Sequence, residues 1–226
     1  MNLIAASHIQ SSYGKKHVLS DVNIEIGQGS CVGIIGANGC GKSTLLAILA
    51  GIRTPAGGSI FYCGQEVTGR AAWKRYRRAI GYVPQRSILM PELTVWDNLL
   101  LWYVDRKLLR QELETGFLGE LGLGEMCRMK VGQLSGGMEK RLSIGAALAN
   151  RPGVLILDEP SAALDMPGKR DVRMYLEKFR QWGGTVIFTT HDESELELCS
   201  KLYVLAGGTC READPEGKGA MLWKTI

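Results

Sequence analysis

One run of residues constrains this chain more than any other: Gly36-Ala37-Asn38-Gly39-Cys40-Gly41-Lys42-Ser43. It follows a short apolar stretch, Ser30 to Ile35, and runs into Ser43 to Ala50, which reads as a helix. The pattern GxxxxGK[ST] between a strand and a helix is a phosphate cradle. Its glycines let backbone N–H groups curl round an anion, and the helix N-terminus adds unpaired donors and a favourable dipole. Lys42 is placed to reach the β- and γ-phosphates of a nucleotide, and the Ser43 hydroxyl to ligate Mg²⁺. The candidate nucleotide-binding residues here are Gly36, Asn38, Gly39, Cys40, Gly41, Lys42, Ser43 and Thr44. Lys42 reads as a site residue outside the core. Cys40 lies close to Lys42 and a helix N-terminus, a setting that lowers a thiol's pKa.

Val154 to Leu157 is a second apolar run, and it ends in Asp158 and Glu159. At the C-terminal end of a strand beside a phosphate cradle, Asp158 is placed to hold Mg²⁺ through water. Glu159 would polarise the attacking water as general base.

The rest of the chain alternates strand and helix signals. Val22, Ile24 and Ile26 alternate with polar neighbours, as a half-buried strand does. Further strands are expected at Ser59 to Cys63, Ala79 to Val83, Thr185 to Thr189 and Leu202 to Ala206, with a hairpin turn at Gly207-Gly208. A helix is expected from Lys169 to Trp182. Strand signals fade between Pro84 and Leu134, where Leu93 to Val104 and Leu108 to Leu121 read as helices. Ser135 to Ala149 reads as another helix, stopped by Pro152. The pattern is that of an α/β fold with a parallel sheet. It divides into a core of residues 1–84 and 150–210, a mainly helical subdomain of residues 85–149, and a polar tail of residues 211–226. A length of 226 residues suits one domain of this kind.

Composition narrows the function classes. The net charge is 27 − 23 = +4, too mild to imply nucleic-acid binding. The basic, aromatic segment Trp73-Lys74-Arg75-Tyr76-Arg77-Arg78 therefore reads as a solvated helix face. If it has a role, contact near a membrane partner or lipid headgroups fits it best. No apolar run approaches the ~18–20 residues that cross a bilayer, and no secretory leader opens the chain. The six cysteines never occur as CxxC, which suits a reducing cytoplasm. The three histidines show no metal-ligand spacing.

Leu134-Ser135-Gly136-Gly137-Met138 completes the pattern. With the cradle and the acidic strand, the sequence closely resembles the nucleotide-binding subunits of ATP-binding cassette (ABC) transporters. Their LSGGQ signature opens a helix shortly before the acidic strand, and here Ser135 precedes Asp158 by 158 − 135 = 23 positions. The resemblance runs from Tyr13 to about Gly208. It implies a P-loop NTPase core with a mostly parallel sheet, an N-terminal antiparallel β portion and an inserted helical subdomain. It implies ATP and Mg²⁺ as cofactors, and ATP hydrolysis that powers transport. Ser135, Gly136 and Gly137 would bind the γ-phosphate of ATP held by a second subunit. A serine and two glycines at a helix N-terminus do make an anion site, and Ser135 can cap the helix as well.

Further roles follow from the resemblance alone. Tyr13 matches the aromatic that stacks on adenine. Gln85 matches the glutamine that contacts Mg²⁺ and the attacking water and senses the membrane partner. Ser161-Ala162-Ala163-Leu164-Asp165 matches the loop that crosses the dimer interface. His191, 191 − 159 = 32 positions after Glu159, matches the switch histidine on the γ-phosphate. The implied partners are a second copy or a related ABC ATPase subunit and an integral membrane transport subunit, with no nucleic acid. The implied location is cytoplasmic, peripheral on the inner face of the membrane. Met138 departs from the signature glutamine and cannot replace its hydrogen bonds. The run Ser135 to Ser143 looks like the export-type version. Two other readings stand beside this one: a non-transport ABC ATPase acting as a mechanochemical regulator, and a small-molecule kinase. The kinase would share the cradle but leave the signature, Asp165 and His191 unexplained.

Overall fold

The computed structural model describes residues 2–213, so positions 214–226 of the expected tail lie outside the described residues. Strands β1 (Asn2–Tyr13) and β2 (Lys16–Gly27) form a long antiparallel hairpin, closed where Tyr13 pairs with Lys16. Ile4, Ala6 and Ile9 of β1 and Leu19, Val22, Ile24 and Ile26 of β2 are buried on its inner face. Next come β3 (Cys31–Ile35), α1 (Lys42–Leu49), β4 (Gly57–Tyr62), β5 (Gln65–Glu66), α2 (Gly69–Arg78) and β6 (Ile80–Val83). A helical stretch follows: α3 (Val95–Leu100), α4 (Arg106–Thr115), α5 (Phe117–Glu120), α6 (Leu123–Met126) and α7 (Gly136–Ala147). The chain then returns through β7 (Val154–Asp158), α8 (Met166–Gln181), β8 (Thr185–Thr189), α9 (Glu193–Leu196), β9 (Lys201–Ala206) and β10 (Thr209–Ala213).

The strands make one mixed sheet in the order β5-β4-β1-β2-β10-β9-β3-β8-β7-β6. From β9 to β6 all neighbours are parallel; β1, β2, β4 and β5 pair antiparallel. This is the α/β arrangement the sequence implies. The parallel strands are apolar throughout because both their faces are covered. Alternate residues then serve opposite cores. Leu155, Leu157, Val186 and Phe188 pack towards α8 and the helical stretch. Val154, Ile156, Ile187, Val32 and Ile34 pack towards α1 and the β1–β2 hairpin.

Three sequence expectations change. Leu93 to Val104 is not one helix: Thr94 caps α3 by accepting the Asp97 N–H at 3.1 Å, and the helix ends at Leu100. Leu108 to Leu121 is two helices, because Gly116 adopts extended backbone between α4 and α5. The first tail residues, Arg211 to Ala213, belong to β10, paired with Val204 to Leu202 of β9.

Gly81 shows how closely the helical stretch sits on the sheet. A Cβ there would lie 2.7 Å from the Ala147 carbonyl oxygen and 3.0 Å from Pro152 Cγ. Backbone cannot move aside cheaply, so Gly81→Ala is expected to destabilise the fold by about 1–3 kcal/mol. Gly153→Ala, whose Cβ would meet nothing within 4 Å, is expected to change little. The urea midpoints of the two variants measure the difference.

Candidate functional site

The C-terminal ends of β3, β6, β7 and β8 converge, and the loops that leave them line one cavity of about 700 Å³. The cradle enters it from α1. No side chain caps the N-terminus of α1, and its first residues, Lys42, Ser43 and Thr44, line the cavity. Gly41, at φ 113°, makes the turn into the helix; a Cβ there would meet Val18 Cγ1 at 2.8 Å. Asn38, Gly39 and Ser43 are exposed at the cavity wall.

Two cradle residues behave differently from expectation. Lys42 is buried, only 6% exposed, and its Nζ donates to Gly36 O at 2.8 Å and Ala37 O at 3.2 Å. It is part of the packed loop, and its amine bridges the turn that it would have to leave to meet a phosphate. Cys40 turns away from the cavity. Its Sγ lies 2.8 Å from where a Gly36 Cβ would be, and it packs on the core beside Cys210. Burial, with Cys40 nearby, pushes the Cys210 thiol up to about 12. The Cys40 side chain is part-buried and does not line the cavity.

At the outer rim the Tyr13 ring is 54% exposed, and its hydroxyl lies 3.4 Å from Thr44 Oγ1. The Arg53 guanidinium covers one ring face at 4.0 Å from the centroid. Arg53 is itself fixed by Ser11 Oγ at 3.0 Å and Ser12 O at 2.8 Å. The ring is thereby held from behind.

At the far wall stand the two acids. Asp158 is 3% exposed, and the Thr189 hydroxyl donates to its Oδ1 at 2.7 Å. The same hydroxyl accepts the Glu159 N–H at 2.9 Å. Glu159 has a φ of 46°, a left-handed conformation that is uncommon outside glycine. That turn swings its side chain off the strand and into the cavity. Gln85, just after β6, donates from Nε2 to Glu159 Oε2 at 2.7 Å. His191 Nε2 lies 3.3 Å from Glu159 Oε1. Three residues distant in sequence thus meet on one carboxylate. Neither Thr189 nor Arg53 could be singled out from the sequence: a strand threonine and a loop arginine carry no motif.

The donors suit a hard divalent cation. Ser43 offers a hydroxyl, Gln85 an amide oxygen left over after its NH₂ meets Glu159, and Asp158 a carboxylate oxygen not taken by Thr189. Mg²⁺ sites use one or two carboxylates and complete the shell with water and phosphate oxygens. Among the described residues no three of His, Cys, Asp and Glu form a separate metal cluster.

Ser135, Gly136 and Gly137 are not in this cavity. Ser135 caps α7, its hydroxyl accepting the Met138 N–H at 3.4 Å. A Cβ on Gly136 would sit 3.5 Å from Leu164, in the loop that ends where Asp165 caps α8 through the Gly168 N–H at 2.9 Å.

Comparison with known proteins identifies this arrangement. The family model described as ABC transporter matches residues 19–162, which include the cradle, Gln85, Ser135 and both acids. The chain belongs to the ABC transporter family. It is 37% identical over 204 residues to the Nod factor export ATP-binding protein I of Cupriavidus pinatubonensis, covering 88% of this chain and 62% of that one. It is 34% identical over 216 residues to the spermidine/putrescine import ATP-binding protein PotA of Bacteroides thetaiotaomicron, covering 93% of this chain and 46% of that one. This ABC chain therefore spans about half to two thirds of the length of these curated relatives. Among solved structures it resembles the ATP-binding cassette MJ0796, described as a dimer in a post-hydrolysis state bound to ADP and Pi. That match has a TM-score of 0.82 at 28% identity and covers 95% of this chain and 99% of the other. Tyr13, Asp165 and His191 lie outside the stretch matched by the family model.

Outer-sphere groups that orient metal ligands typically change affinity about 10–100-fold when removed. Thr189→Val keeps the shape and strips the hydroxyl. It is expected to weaken Mn²⁺ binding in the presence of a non-hydrolysable ATP analogue about tenfold or more, as read by electron paramagnetic resonance. Thr189→Ser is expected to restore it.

Proposed function

We propose that this chain is the ATP-binding and ATP-hydrolysing subunit of an ABC transporter, and that two such subunits close face to face on ATP. One observation carries the reading: Tyr13, Lys42, Ser43, Gln85, Glu159 and His191 line a single cavity, while Ser135 to Gly137 lie outside it. The cavity is half of a site, and the signature faces a nucleotide that this copy does not hold.

In this reading adenine lies on the free face of Tyr13, with Arg53 behind the ring. The phosphates occupy the cradle, where Lys42 exchanges the carbonyls of Gly36 and Ala37 for phosphate oxygens. Ser43, Gln85 and, through water, Asp158 would hold Mg²⁺, which would supply positive charge to offset that of the phosphoryl group. Glu159 takes the proton of the attacking water, and Gln85 and His191 fix its carboxylate for that step. Ser135 and the backbone of Gly136 and Gly137 supply donors to the γ-phosphate of the partner copy. The dimer described for MJ0796 supports this closure.

Coupling to transport requires a membrane subunit. A groove of about 290 Å³ lies between the ends of α1, β6 and α7, and Ile52, Ile88 and Trp102 stand exposed beside it. Pro84 lines it next to Gln85, so an occupant of the groove would bear directly on the residue that holds Glu159. We assign it to an integral membrane partner, which places the subunit on the cytoplasmic face of the membrane. No helix among the described residues is long and apolar enough to cross a membrane itself. The direction we favour is export, on the strength of the Ser135 to Ser143 run and the relative named for Nod factor export; the relative named for import shares 34% identity.

Glu159→Gln is expected to bind ATP, to hydrolyse it at least about 100-fold more slowly, and to form a dimer with ATP in size-exclusion light scattering. Binding confined to the closed form draws the monomers together by mass action. A Glu159→Gln protein that stays monomeric with ATP and in the assembled transporter would remove the shared-site mechanism.

Lys42→Ala and Ser135→Arg should each abolish hydrolysis in the assembled complex. A mixture of the two should recover part of it, because one composite site then keeps both its cradle and its signature. Absence of any recovery would point to a heteromeric partner.

A further inference from the structure

Helix α2 turns Ala72, Trp73 and Tyr76 inward. Tyr76 is 1% exposed, its hydroxyl donates to Leu49 O, and Trp73 packs edge-on against it at 5.8 Å. At 3.6 residues per turn, Arg70, Lys74 and Arg78 form a row along the opposite side, flanked by Arg75 and Arg77. All five are exposed, and only Ala71 shares that arc with them. The helix contains no acid.

This concentration is specific to α2. The chain's net charge is +4, and the five cations of α2 exceed it, leaving 4 − 5 = −1 for everything else. None of the five makes an ion pair among the described residues. Helix α8 also carries five cations, Lys169, Arg170, Arg173, Lys178 and Arg180, but there Asp171 and Glu177 share the helix, and Lys169 pairs with Asp192 at 2.7 Å, Arg173 with Glu197 at 3.0 Å and Lys178 with Glu120 at 2.8 Å. Like charges four residues apart destabilise a helix. The helix dipole welcomes Arg75, Arg77 and Arg78 in the last turn but opposes Arg70 in the first. Folding alone gives no reason for the full row.

The row has a neighbour that gives it one. Arg77 lines the groove that carries Ile52, Ile88 and Trp102. If that groove seats a membrane subunit, the basic face of α2 stands at the edge of the surface turned towards the bilayer.

We propose that α2 is an electrostatic membrane contact whose outer face engages the headgroups of anionic phospholipids beside the transport subunit. This rests on the assignment of the groove. Clusters of this size near a bilayer are drawn to its negative surface potential, and the attraction decays within a Debye length, about 8 Å at physiological salt.

The test uses the purified full chain, without a membrane partner. It is floated with vesicles of phosphatidylcholine alone or of phosphatidylcholine mixed with phosphatidylglycerol. Binding is expected to the mixed vesicles only, to fall with added salt, and to drop at least about tenfold in R70Q/K74Q/R75Q/R78Q. ATP binding by that variant should be unchanged, and Arg77 is kept because it lines the groove. No binding to anionic vesicles at low salt, or equal binding by the variant, overturns the proposal. So does a variant that loses only its co-purification with the membrane subunit in lipid-free detergent, since the row then reads protein carboxylates. Failure of the transporter reading shows separately, in the co-purification of the wild-type chain and in the Glu159→Gln dimer.

Discussion

The parallel register of β7 with β8 sets Asp158 opposite Thr189, and the chemistry proposed here depends on that pairing. One hydroxyl at this point does two things. It donates to Asp158, which fixes the carboxylate, and it accepts the N–H of Glu159, which would otherwise be a loose donor at the end of a strand. The second bond helps to hold Glu159 at φ 46°, a backbone state that costs of order 1–3 kcal/mol when sparsely populated. A register slip of one residue would send Asp158 to the other face of the sheet and dismantle the site. The apolar alternation of Val154 to Leu157 against Val186 to Phe188 prevents the slip, because each face has its own core to fill.

Behind the acids lie two buried ionisable side chains, Glu195 and Lys140. Glu195 of α9 is 1% exposed, and the Thr190 hydroxyl donates to its Oε2. Burial raises its carboxyl above the ordinary carboxylate range, against the pull of hydroxyls from Thr190 and Ser161. Lys140 of α7 is 5% exposed, and burial lowers its amine below the usual lysine value, opposed by the carboxylates of Asp158, Glu139 and Glu195. Arg141, paired with Asp171, fixes α7 to α8 on the same side.

The parallel core was legible because its strands are continuous apolar runs, and the cradle because its glycines and Lys42 follow one of them. The helical stretch was legible as a class but not in its joints. Gly116 splits a pattern whose periodicity continues across it, and periodicity does not record one extended residue. The length of β1 was hidden because Ser7, His8, Ser11 and Ser12 interrupt the apolar alternation that its hairpin partner shows. The acidic strand pointed to Glu159 and the family resemblance to Gln85 and His191, yet only the fold shows that they meet on one carboxylate. The burial of Lys42 and the inward turn of Cys40 were illegible for another reason. A motif records what a side chain can offer a ligand, and these two contacts belong to the loop without one.

That distinction bears on how the half-site works. Lys42 bridges Gly36 and Ala37, Gln85 rests on Glu159, Ser135 caps α7 and Asp165 caps α8, so each of these groups has an internal partner. Such partners keep the open subunit folded without leaving polar groups bare. In the closure proposed above, bonds to nucleotide would be made by groups already held in place. Ser135 keeps its cap: its oxygen accepts the Met138 N–H at 3.4 Å, and its O–H can still donate to a phosphate. Gln85 need make no exchange: its Nε2 donates to Glu159 at 2.7 Å while its amide oxygen is left over, so in the proposed site it would hold the carboxylate and the cation together. In the proposed transporter, an occupant of the groove beside Pro84 would therefore bear on Gln85, and through Gln85 on the position of the Glu159 carboxylate, without touching the nucleotide.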